Sequence, residues 1–160
     1  MDNQDQQAVA GAVSPPLDDT PARLRFRDDA PFESPIAPLA DFLAGGNFAA
    51  VRIEPGEDAR DLVPHLGRLK LVEIAFPKFR DGRGYSSAAI LREAGFTGEI
   101  RAAGDVLVDQ FSFMRRVGFD SFAPARPLDL RVVQATLDRY TSVYMKSADG
   151  RTPVWALRNA

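Results

Sequence analysis

The stretch LVEIAFPKFRDGRGYSSAAILRE, residues 71–93, changes character twice. Leu71, Val72, Ile74, Ala75 and Phe76 form an apolar run of buried-strand length, and Pro77, with no N–H for a sheet ladder, ends it. A basic loop follows, with Lys78, Arg80 and Arg83 crowded among Gly82 and Gly84, where the backbone is free to bend closely around a ligand. Ser86 or Ser87 is then expected to cap a helix running from Ser87 to Ala94. A strand, a cationic loop and a helix N-terminus in that order make a physical recipe for holding an anion.

The same unit repeats outward from this stretch. LREAGF, ending at Phe96, and MRRVGF, ending at Phe119, are alike and 23 residues apart, 119 minus 96. Each closes a helix and launches a strand. Strand starts near Phe48, Lys70, Glu99 and Ser121 keep a similar interval. Short strands feeding helices at this spacing predict parallel βαβ crossovers. The expected fold class is α/β, a mainly parallel sheet of four or five strands built from βα units, resembling half of a (β/α)8 barrel or a small doubly wound sheet. Open edges of a half barrel would favour a homodimer or a covering segment.

Further out, residues 1–20 are rich in Gln, Asp, Ala and Pro without periodicity and read as a disordered tail, leaving 21–160 as one domain. Arg23 to Arg27 alternates basic with apolar, as an edge strand does. Ser34 before Pro35, with Ile36, Leu39, Ala40 and Leu43 and then Gly45, predicts a helix. Another is expected near Asp61, where Pro64 has to sit in the first turn. Asp105 is placed to cap a helix from Val106 to Val117, and a last long helix is expected over 130–146 with Tyr140 and Tyr144 on its apolar stripe.

Composition bounds the chemistry. The chain has 160 residues and a formal net charge of -2, so no global basic field draws nucleic acid and an anion site has to be local. It has no cysteine, which removes disulfides, thiol redox and cysteine-ligated clusters; electrons passing through it would need a bound organic cofactor or a partner. The residues name no cofactor. No apolar stretch approaches the ~20 residues of a membrane helix, and the acidic start lacks an export signal, so a cytoplasmic location is expected.

The string FPKFRDGRGYSSA (76–88), with LRE (91–93), GEIRAAGDVLVDQ (98–110) and RRVGFDSF (115–122), resembles a bacterial family encoded beside assimilatory sulfite reductase and labelled as oxidoreductases of sulfite reduction. The resemblance spans roughly Phe48 to Lys146. It implies a place in sulfur assimilation and leaves the mechanism open.

Ligands of parallel α/β sheets bind at the C-terminal strand ends, where the basic loop, Asp105 and the loop around Glu54 converge. The candidate anion- or partner-binding residues are Lys78, Arg80, Asp81, Arg83, Tyr85, Ser86 and Asp105. Arg forks suit an oxyanion, Tyr85 would stack or donate, and Asp81 and Asp105 would orient the cations. The competing reading is that these charges merely knit two loops together. Glu73 reads as an outward edge residue, His65 as a solvated or capping histidine, and Arg115 and Arg116 as a solvated helix end. No metal constellation, Walker loop or catalytic triad is present. Two classes stand: an accessory protein docking on sulfite reductase or its electron donor through the basic loop, and a cofactor-dependent oxidoreductase of the same pathway.

Overall fold

The structure, a computed structural model, describes residues 24–158; the expected tail over 1–20 lies outside them. In chain order the elements are β1 (Leu24–Arg25), β2 (Ala37–Pro38), α1 (Leu39–Leu43), β3 (Ala50–Ile53), a 3-10 helix (Ala59–Arg68), β4 (Leu71–Phe76), α2 (Arg83–Glu93), β5 (Glu99–Gly104), a 3-10 turn (Val108–Gln110), α3 (Phe111–Val117), β6 (Ser121–Pro124), α4 (Leu130–Asp138) and α5 (Val154–Leu157).

One six-stranded sheet has the order β1-β6-β5-β4-β3-β2. Strands β2 to β6 are parallel and β1 alone is antiparallel, so the α/β expectation holds with one strand more than the upper count. From β2 to β6 the order never reverses. That is the winding of a barrel segment, since a doubly wound sheet reverses at a switch point. Buried residues of α1, the 3-10 helix, α2, α3 and α4 join one core cluster, so these helices lie on the same side, as right-handed crossovers would place them. The core lies there: Val51, Ile53, Val72, Ile74, Phe76, Ile100, Ala102 and Phe122 alternate onto the helical face and pack with Leu91, Phe111 and Met114.

The opposite face carries charge. Arg52, Glu73, Arg101 and Ser121 lie in one register row across β3 to β6. Arg101 bonds Glu99 at 3.0 Å and lies 3.6 Å from Glu73, Arg52 reaches Glu73 at 2.7 Å, and Arg25 of β1 reaches Glu99 at 2.8 Å. Glu73 is therefore an interior residue of a central strand, which corrects the edge assignment: its carboxylate is tolerated because cations flank it on both sides.

The repeated hexapeptide has a physical meaning. Phe96 N–H bonds Leu91 O and Phe119 N–H bonds Met114 O, each across a left-handed glycine, Gly95 and Gly118. These are paired Schellman closures. In both, an arginine four residues earlier donates to the phenylalanine carbonyl, Arg92 to Phe96 at 2.6 Å and Arg115 to Phe119 at 3.0 Å. Arg115 also lies over the Phe26 ring and Arg116 bonds Met145 O, so neither is a solvated helix end.

Five helices differ from expectation: α2 starts at Arg83 instead of Ser87, the helix expected from Val106 becomes α-helical only at Phe111 after a 3-10 turn, and three others differ as follows. Pro38 holds Ala37 extended, so Ala37 and Pro38 pair as β2 and the helix starts only at Leu39. Around Pro64 the chain forms a 3-10 helix capped by Asp58. The last long helix stops at Asp138, because the carbonyls of Tyr140, Thr141, Tyr144 and Met145 are taken by Arg151, Trp155 and Arg116. Both sheet edges are short, and Pro38 blunts one of them.

Candidate functional site

The C-terminal ends of β3, β4 and β5 converge on the rim as expected, with Phe76 and Gly104 in register. At Gly104 the backbone turns with φ 112°, and a Cβ there would lie 2.4 Å from Phe76 O. At Gly84 a Cβ would lie 2.5 Å from the Phe76 ring, so glycine is what lets α2 sit against the end of β4.

The helix cap differs from expectation. α2 begins at Arg83, and Ser86 and Ser87 lie within it. Asp81 takes the capping role, its Oδ1 accepting from Arg83 N–H at 3.2 Å. The Arg83 guanidinium closes on the same carboxylate through two bonds of 2.9 and 2.6 Å. The Arg83 side chain and then its backbone N–H hold Asp81 down at a pKa of about 2, while Asp81 raises Arg83. The helix N-terminus thus already faces an anion supplied by its own chain.

Asp105 does not cap a helix either. Its Oδ2 accepts from Phe79 N–H at 3.1 Å and its Oδ1 from Arg126 at 2.7 Å, and these two contacts, the backbone one first, hold its carboxyl below the usual range. Gln110 completes the arrangement: Nε2 donates to Phe79 O at 2.8 Å while Oε1 accepts from Leu107 N–H. The Phe79 peptide is clamped on both sides. Its neighbours Lys78 and Arg80 are exposed, and among the described residues neither has a carboxylate partner; Arg80 instead lies over the Phe79 ring at 5.3 Å.

Of the predicted residues, Lys78, Arg80, Asp81 and Arg83 share a surface hollow of about 510 Å³ with Pro55, Pro77 and Gly82. Ser86 opens into an adjoining cavity of about 290 Å³ rich in acid, with Glu54, Glu57 and Asp58 on its wall. Tyr85 turns away, edge-on against Phe76 and Phe119 and beside Phe113; burial and then Asp109 raise its hydroxyl. Asp105 serves the loop from behind. Gln110 and Arg126 escaped the sequence reading, since a polar helix-face residue and a loop arginine 21 positions away, 126 minus 105, carry no local signal. His65 packs edge-on to Phe42. Among the described residues no three His, Cys, Asp or Glu side chains gather to hold a metal, and no helix is long and apolar enough to cross a membrane.

Residues 50–155 match a family described as bacterial protein of unknown function (DUF934), and the chain belongs to it. No curated protein and no solved structure matches the chain.

Proposed function

We propose that this protein is an accessory component of assimilatory sulfite reduction that docks on sulfite reductase or on its electron donor through the loop 77–83. The pathway rests on the resemblance of FPKFRDGRGYSSA and the strings after it; the docking role rests on the clamped loop. Asp105 and Gln110 fix the Phe79 peptide, so Lys78 and Arg80 are presented from a rigid backbone without local neutralisation. A preorganised pair of cations lowers the ordering cost of meeting an acidic surface and speeds encounter. The test is the Lys78→Ala/Arg80→Ala double variant. It should melt like the wild type, lose binding to purified sulfite reductase or its donor, and fail to restore growth on sulfate in a strain lacking the gene. Intact growth with an intact fold would reject the reading.

A second reading is a cofactor-dependent oxidoreductase with an anionic ligand at the strand ends. It is favoured by the hollow of about 510 Å³, lined by Lys78, Arg80 and Arg83 together with Asp81. The absorbance spectrum of the purified protein separates the two, since a flavin would show at once.

A further inference from the structure

A concavity of about 820 Å³ lies between α3, α4 and the segment 139–151. Phe113, Leu137, Tyr140, Val143, Tyr144 and Met145 contribute its apolar lining. Segment 140–145 is built inside out. Arg151 donates to Tyr140 O at 2.9 Å and Thr141 O at 2.7 Å, Val154 N–H to Val143 O at 2.8 Å, Trp155 Nε1 to Tyr144 O at 2.8 Å and Arg116 to Met145 O at 2.6 Å. Its backbone is thereby fixed while Tyr144 and Met145 stand 75% and 70% exposed. A surface loop ordinarily leaves its polar backbone to water and tucks such side chains away.

We propose that this face is a two-fold interface between copies of the chain, with Tyr144 and Met145 of each copy entering the groove of the other. Three observations select a second copy as the occupant. The protruding pair sits on the lip of the groove, and a knob beside a hole on one surface is what an isologous contact requires. The groove's cations are satisfied internally, Arg115 by Phe119 O and the Phe26 ring, Arg116 by Asp149 and Met145 O, and Arg151 by two carbonyls, so the occupant need not bring carboxylates. The area also fits. Phe113, Tyr140 and Tyr144 of the groove are 62, 62 and 75% exposed, which at ~150–250 Å² per aromatic side chain leaves about 300–500 Å² in water before Met145 is added. A homodimer contact of ~800 Å² per partner, about 65% apolar, requires on the order of 520 Å². The sheet edges, each two residues long and one of them blunted by Pro38, offer little surface for strand pairing.

The experiment is light scattering on the full chain eluting from a sizing column over a hundredfold concentration range. The wild type is expected at twice its 17.5 kDa mass. Tyr144→Glu and Met145→Glu, tested separately with far-UV circular dichroism and a cooperative melt as the folding controls, should each weaken dimerisation at least tenfold while staying folded, the melting temperature falling only toward that of the diluted, dissociated wild type. A wild type that stays monomeric throughout overturns the proposal, and so does a dimer that survives in whichever of the two variants is folded.

Discussion

Arginine meets carboxylate in two parts of this molecule with opposite results. On the helix-free face of the sheet, Arg25, Glu99, Arg101, Glu73 and Arg52 form a continuous chain of pairs, and the side chains of Glu99 and Arg101 are only 3% and 6% exposed. On the rim, Arg83 grips Asp81 with equally short bonds but stays 64% exposed. The difference lies in the solvent. Water screens the rim pair, so it defines geometry and contributes little to stability. In the sheet Glu99, Arg101 and Glu73 have left water, with Arg52 at the end of the chain still 40% exposed, and the buried charges are compensated only by their neighbours. The fold explains why the ladder exists: a singly wound sheet has one face without helices, and this chain fills it with paired charge.

The sharpest way to break this comparison is Glu99→Ala. The carboxylate accepts from Ser121 Oγ at 2.5 Å, Arg25 at 2.8 Å and Arg101 at 3.0 Å, so its loss strands three buried or half-buried donors. Breaking a buried pair by removing one partner costs about 3–5 kcal/mol, readable as a lower urea midpoint. The double variant Glu99→Leu/Arg101→Leu should recover much of that loss. Equal destabilisation by the single and double variants would mean the ladder is held by packing instead of charge.

Acid separates the two regions by a smaller margin. Burial pushes the Glu99 carboxyl up, but bonds from Ser121, Arg25 and Arg101 outweigh it and leave the pKa below its ordinary 4.5. A carboxyl whose folded pKa is depressed stabilises the protein above its unfolded value and loses that contribution as pH falls through the folded one. Stability should therefore decline below about pH 4.5, with Glu99→Gln flattening that limb. Asp81→Asn should leave the limb almost unchanged despite the low Asp81 pKa, because its partner is solvated. Matching limbs in the two variants would erase the distinction between ladder and rim.

How much of this was legible follows the range of the interactions. Pro77, Gly104 and the AGF and VGF closures are local signals, and they correctly located β4, β5 and the rim. Glu73 was misread because its meaning comes from Arg52 and Arg101, which are 21 and 28 residues away, 73 minus 52 and 101 minus 73, and become neighbours only once the strand order is known. Opposite charges recurring at mid-strand in three successive strands were the available clue. The helical spacing of Tyr140 and Tyr144 misled for a similar reason: distant donors took the carbonyls that a helix needs. At the site, the sequence marks Asp81 as an orienting carboxylate but points to the serines for the α2 cap, because Ser is a common N-cap and the chelation of Asp81 by Arg83 leaves no local signal. Asp105 likewise has good N-cap chemistry and is diverted to Phe79 by a contact 26 residues away, 105 minus 79.

The smallest expected effect tests the rim from within. Arg83 is chelated by Asp81, whereas Lys78 and Arg80 have no such carboxylate among the described residues. Arg83→Ala removes the grip but leaves the α2 cap, because Asp81 still accepts from the backbone N–H of residue 83. Its melting temperature should match the wild type. Its growth on sulfate should fall less than that of the Lys78→Ala/Arg80→Ala variant, since a neutralised cation attracts an acidic surface less than a bare one. Arg83→Lys sharpens the point: lysine keeps the charge but loses the planar fork. If Arg83 serves only to order the loop through Asp81, alanine and lysine at this position should behave alike. A growth defect in Arg83→Ala as severe as in the double variant, with the fold intact, would instead make Arg83 a direct contact that releases Asp81 when the partner arrives.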